Sequence, residues 1–267
     1  MELRYRMSGV VGGALLLVAA AAAAQTGERL SNAQVKAIID EVDTGRDKFE
    51  GNLDGGFKGS TVRGPNGETK VEGALQDYQD NTKKLQERFS SDYSAGPEVA
   101  TVLKQSMRID AFMKSPAAPP KGRIEWDRQV ENLKHLANAY GTTFPLPDGA
   151  VVGRLNDKEV AGLAGAVVAQ AEQVKRAVDA DKTLAKPDKQ ALKTEVEGVV
   201  KQAETLESLL EDGKPSTADA SALRGKVAAL TATGRQLPPA VLTAVTGLRA
   251  PQAKLDQAFG VAPAPGM

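Results

Sequence analysis

The chain has 267 residues with 34 basic and 34 acidic side chains, one histidine and no cysteine. Without cysteine there are no disulfides, no covalent haem attachment through C-x-x-C-H and no lipid anchor on an N-terminal cysteine. The balanced charge does not point to a nucleic-acid partner, which would normally require a basic face, and none is expected.

The first segment reads as a secretory signal peptide over residues 1–24. MELRYRM supplies two arginines, SGVVGGALLLVAAAAAA is an uncharged run, and Ala22-Ala23-Ala24 offers small residues for cleavage before Gln25. The competing reading is an uncleaved anchor, but glycine and alanine make the run only weakly hydrophobic. Export to the periplasm or beyond is therefore expected, with no membrane span left after cleavage. Loss of Arg4, Arg6 and Glu2 brings the mature chain to 32 basic and 33 acidic residues.

A helix opens at LSNAQV, from Leu30. Ser31 can cap it, Gln34 can reach back to the free backbone N–H, and Leu30 can staple onto Val35. The opening recurs 125 residues later as LNDKEV, with Asn156 as cap, Glu159 as return and Leu155 against Val160. The register then holds. Val35, Ile38, Val42, Phe49 and Leu53 form a stripe at helical spacing, and the same offset lands on Val160, Leu163, Val167, Val174 and Val178.

A polar connection, NLDGGFKGSTVRGPNG, precedes a second helix within GETKVEGALQDYQDNTKKLQERF. Its stripe of Val71, Leu75, Tyr78, Thr82, Leu85 and Phe89 returns at an offset of 121 as Leu192, Val196, Val199, Ala203, Leu206 and Leu210. A third helix carries Val99, Val102, Ser106, Ile109 and Met113, facing Ala220, Leu223, Val227, Leu230 and Gly234. The fourth stripe, Trp126, Val130, Leu133, Ala137 and Tyr140, ends in LANAYG, which returns at 119 as LDQAFG. The offset falls because loops shorten, and surface loops tolerate that where core stripes do not.

The pattern predicts an all-α chain of two tandem four-helix bundles arising from an internal duplication. The first would span 28–141 and the second 155–260, joined by a proline- and glycine-rich linker at 142–154 and followed by a tail at 261–267. One continuous eight-helix bundle would use the same stripes. Strands are not expected, because the β-branched residues follow helical spacing. Pro251, inside the last helical stretch, predicts a kink or break.

No motif commits the chain to a reaction, and no catalytic residue is assigned. His135 falls off the fourth stripe, and with Glu131 it makes only a poor metal pair. The acidic stretch from Asp40 lacks the ligand order of a calcium loop. No metal or cofactor is expected. Nine of the ten aromatics after the signal segment lie before residue 150. Phe49, Tyr78, Phe89, Trp126 and Tyr140 are the candidates for a ligand pocket, if the first bundle has one. The expected function is that of an exported, noncatalytic helical scaffold or protein-interaction module. The alternative is a carrier with an apolar pocket in the first bundle.

Overall fold

A computed structural model of the chain describes residues 29–64, 67–116, 118–232 and 236–261. The predicted signal segment and residues 262–267 of the predicted tail lie outside them. The fold is mostly helical, and the chain divides into two compact units. Of the described residues, the first takes in 32–154, so the stretch expected as a linker belongs to it; the second takes in 155–261 and also the short segment 29–31.

The first unit contains α1 (Asn32–Gly51), α2 (Gly55–Lys58), a hairpin of β1 (Thr61–Gly64) and β2 (Gly67–Lys70), α3 (Val71–Arg88), α4 (Gly96–Met113) and α5 (Pro120–Ala139). The hairpin corrects the expectation of no strands. Its antiparallel register pairs Thr61 with Lys70 and Val62 with Thr69. Thr61 and Val62 alternate exposed and buried, a two-residue period too short to register against the surrounding polar sequence. Asp54 caps α2 by accepting from the Phe57 N–H at 2.6 Å, which turns the expected loop into a helical turn that buries Phe57.

The long helices touch in cyclic order: α1 with α3, α3 with α4, α4 with α5, and α5 with α1. The stripes predicted for α1 and α4 are buried throughout, as are the α3 positions from Val71 to Leu85. Two positions differ. Phe89 caps the C-terminus of α3 and is half-exposed, and Val130 is half-buried while its neighbour Gln129 is buried. Residues 142–154 return across the start of α4. There the Val152 carbonyl sits where a Cβ on Gly96 would come within 2.8 Å, so only glycine fits.

The second unit contains α6 (Asp157–Ala180), α7 (Lys186–Glu211), α8 (Thr217–Leu230), α9 (Pro239–Thr246) and α10 (Arg249–Ala258). Here α6 meets α7, α7 meets α8, and α10 meets both α8 and α6. Asn156 accepts from the Glu159 N–H at 2.8 Å while Glu159 accepts from the Asn156 N–H at 2.7 Å, a complete capping box. Leu155, expected to staple, is 41% exposed instead. The box already fixes the chain's entry into α6, and the Leu155 carbonyl accepts a separate bond from Arg29.

The last stretch is broken, as Pro251 demands. Proline lacks the N–H that would bond the Gly247 carbonyl, and its ring collides with the carbonyl four residues back. Helix α9 stops at Thr246 and α10 restarts at Arg249, which puts Pro251 in a first turn where no such bond is needed. The core is aliphatic: Val160, Val167, Val174, Val196, Val199, Leu206, Leu223, Val227 and Leu255 are all fully buried.

Candidate functional site

The aromatic candidates separate into a cluster and two outliers. Phe49 of α1 and Trp126 of α5 stack with centroids 4.9 Å apart, tilted by 55°. Tyr78 of α3 meets Trp126 edge-on at 6.3 Å. All three rings are at most 2% exposed. Such pairs contribute about 0.5–1.5 kcal/mol beyond their burial. Tyr140 lies at the other end of the unit, where its hydroxyl donates to the Ser94 carbonyl. Phe89 joins neither group by ring contact.

The polar atoms of the cluster are taken up inside the protein. The Trp126 indole N–H donates to Asp110 at 3.1 Å, and Asp110 pairs with Lys114 at 2.6 Å. Gln129, which follows Trp126 by three residues on α5, donates to the Tyr78 hydroxyl at 2.6 Å and to the Val42 carbonyl at 2.8 Å. Its own amide oxygen accepts from Asn132 at 3.2 Å. A buried glutamine is tolerated because both ends are bonded; an unbonded one would cost roughly 1–3 kcal/mol.

Gly45 makes this possible. A Cβ there would stand 2.0 Å from the Gln129 amide oxygen and 2.9 Å from the Asn132 nitrogen, so α5 can lay its amides on α1 only where α1 has no side chain. The second unit contains the same device with the helices exchanged. Gln170 of α6 donates to the Ala244 carbonyl at 2.9 Å, and a Cβ on Gly247 would meet its amide nitrogen at 2.4 Å. In each unit the bonded carbonyl lies three residues before the glycine. Gln170 also stands 125 residues after Gly45, the offset of the repeated helix openings.

Beside the cluster runs a charged seam. Arg46 is 2% exposed and reaches Asp43 at 2.7 Å, Asp47 at 2.6 Å, Thr82 at 3.1 Å and the Gln79 carbonyl at 3.3 Å. The acidic stretch from Asp40 thus serves to neutralise a buried guanidinium. Burial pushes the Glu50 carboxyl above its ordinary value, opposed by Arg46 and Lys58. Burial also pushes the Tyr78 hydroxyl up to about 12, against the bonds from Gln129 and Ser106. Tyr140 shifts upward as well, mainly through burial. Both phenols stay protonated at ordinary pH and behave as hydrogen-bonding groups.

At the far end, the buried Glu98 of α4 accepts from Tyr93 at 2.9 Å and pairs with Arg88 at 2.5 Å, with the Arg88 guanidinium 5.1 Å from the Tyr93 ring centre. These contacts fold the loop ahead of α4, where Ala95 adopts a left-handed φ of 53°. His135 is half-buried on α5. Among the described residues no group of three or more His, Cys, Asp or Glu side chains is placed to hold a metal ion. No described helix is long and apolar enough to cross a membrane.

Sequence reasoning missed Gln129 and Arg46 because both are polar on a core face. The available signal was Gly45, a glycine inside a strong helix, which costs about 1 kcal/mol against alanine unless a close approach requires it. Compared with family models, curated proteins and solved structures, the chain matches none.

Proposed function

We propose that the chain is a tandem duplication of a four-helix unit which, after export, acts as a noncatalytic scaffold or protein-interaction module. The duplication is supported by the shared cyclic order of helix contacts, with α9 and α10 together in the place of α5. It is supported further by the exchanged glycine–glutamine contact. A packing solution kept while its two residue types trade helices fits two descendants of one unit better than two unrelated sets of helices. Export rests on residues 1–24 alone, which the structure does not describe.

The scaffold reading rests on one observation: the Tyr78 hydroxyl and the Gln129 amide are bonded to each other, the amide also to the Val42 carbonyl, and the Trp126 indole N–H to the Asp110 carboxylate. A carrier would aim such groups at its ligand. Native mass spectrometry of the protein purified from its own exported fraction tests both parts. The expected species has the bare mass of residues 25–267. Additional mass that disappears in Trp126→Ala would replace the scaffold reading with the carrier. A mass that includes residues 1–24 would remove the cleavage.

A further inference from the structure

The second unit contains one piece that the duplication does not explain. Residues 29–31 precede α1 in sequence, yet they belong to the second unit, so the chain enters that unit twice. Arg29 is the anchor. Its guanidinium pairs with Asp157 at 2.7 Å, with the two side chains 7% and 6% exposed. The same nitrogen donates to the Leu155 carbonyl at 3.1 Å, and the guanidinium carbon stands 5.7 Å from the centre of the Phe259 ring. Leu30 and Ser31, next in line, are 4% and 2% exposed.

The three contacts lie at the two ends of the unit's continuous sequence. Leu155 and Asp157 form the entry to α6, and Phe259 caps the end of α10. One side chain therefore ties the first turn of α6 to the last turn of α10. Charge, backbone and ring face each suit an arginine: one terminal nitrogen reaches a carboxylate and a carbonyl together while the flat face of the guanidinium covers an aromatic ring. Lysine would supply the charge and a donor but no flat face.

We propose that residues 29–31 are a latch on the second unit, held by the Arg29 plug in the socket of Asp157, the Leu155 carbonyl and Phe259. Release of the plug frees the start of α6 and the end of α10 while the core between them stays folded. It also exposes the Arg29–Leu30 bond, so a trypsin-like protease reads the state of the latch directly.

The test is a trypsin time course on the purified full chain, with cuts assigned by mass spectrometry. Cleavage after Arg63 serves as the internal reference, because its side chain is 81% exposed on the hairpin. In the unaltered protein the cut after Arg29 should be slower than that after Arg63 by on the order of tenfold or more. Asp157→Asn should accelerate the Arg29 cut by on the order of tenfold, with the Arg63 cut and the far-ultraviolet circular dichroism unchanged. Should Asp157→Asn lose its fold, Phe259→Leu takes its place, with a smaller acceleration of roughly threefold from loss of the ring face. Equal rates at Arg29 and Arg63 in the unaltered protein would overturn the latch. So would an Arg29 rate that neither substitution raises.

Discussion

Gly45 has no side chain because the space beside it belongs to Gln129. Gln129 is 1% exposed and bonded at both ends, so it cannot swing aside. Gly45→Ala should therefore lower stability by about 2–3 kcal/mol, even after alanine's better helix propensity. Gly247→Ala meets Gln170, which is half-buried and can turn its amide out to water. Its cost should stay within about 1 kcal/mol. Urea titration of the two variants side by side checks the contrast, and equal costs would contradict it. The phenols set a second expectation. Because burial lifts Tyr78 from 10.0 to about 12, the folded chain keeps that proton at a pH where the unfolded chain has lost it. Its contribution is complete below the unfolded value and lost as pH rises through the folded one. Tyr140, shifted the same way, adds to the fall. Tyr78→Phe should cost about 1 kcal/mol at neutral pH and flatten the decline between pH 10.0 and about 12.

At the scale of elements, helices came through clearly and turns did not. The apolar positions of α1, α3 and α4 recur every three or four residues over five turns, and burial follows that period almost residue by residue. The segment between α1 and α3 has only four-residue strands, with one buried side chain, Val62, in β1. Its structure comes from packing, with β1 against α4 and β2 against α3, which a local pattern does not encode. The break between α9 and α10 is the opposite case, since one proline states it. Pro251→Ala restores the missing donor, and the new amide at position 251 should exchange slowly with solvent as α9 and α10 join. Native-state hydrogen exchange reads this directly. Fast exchange at that amide would mean that packing around Gly247, and not the proline, holds the two helices apart.

The two units carry separate cores, one with every buried aromatic among the described residues except Phe259 and one almost wholly aliphatic. Trp126, the only tryptophan, reports on the first, while circular dichroism sums both. Leu206→Ala, in the second core, should cost about 2–4 kcal/mol and move the dichroism transition. The fluorescence transition should stay in place, and a matching shift there would mean that the units unfold as one. The sequence by itself determined the helical class, the stripes, the second capping box and the proline break, because each depends on residues within a turn or two of one another. Only the tertiary structure decided that Gln129 belongs in a core, that Arg46 is buried among its own aspartates and that Phe89 stays half-exposed. The same holds for the assignment of residues 29–31 to the second unit. The places of Gln129, Arg46 and residues 29–31 depend on partners far away in sequence: a glycine on the facing helix, the Gln79 carbonyl and Thr82 hydroxyl on α3, and a carboxylate beyond residue 150. A polar residue in a core is affordable only when such a partner arrives, and its arrival is a property of the fold.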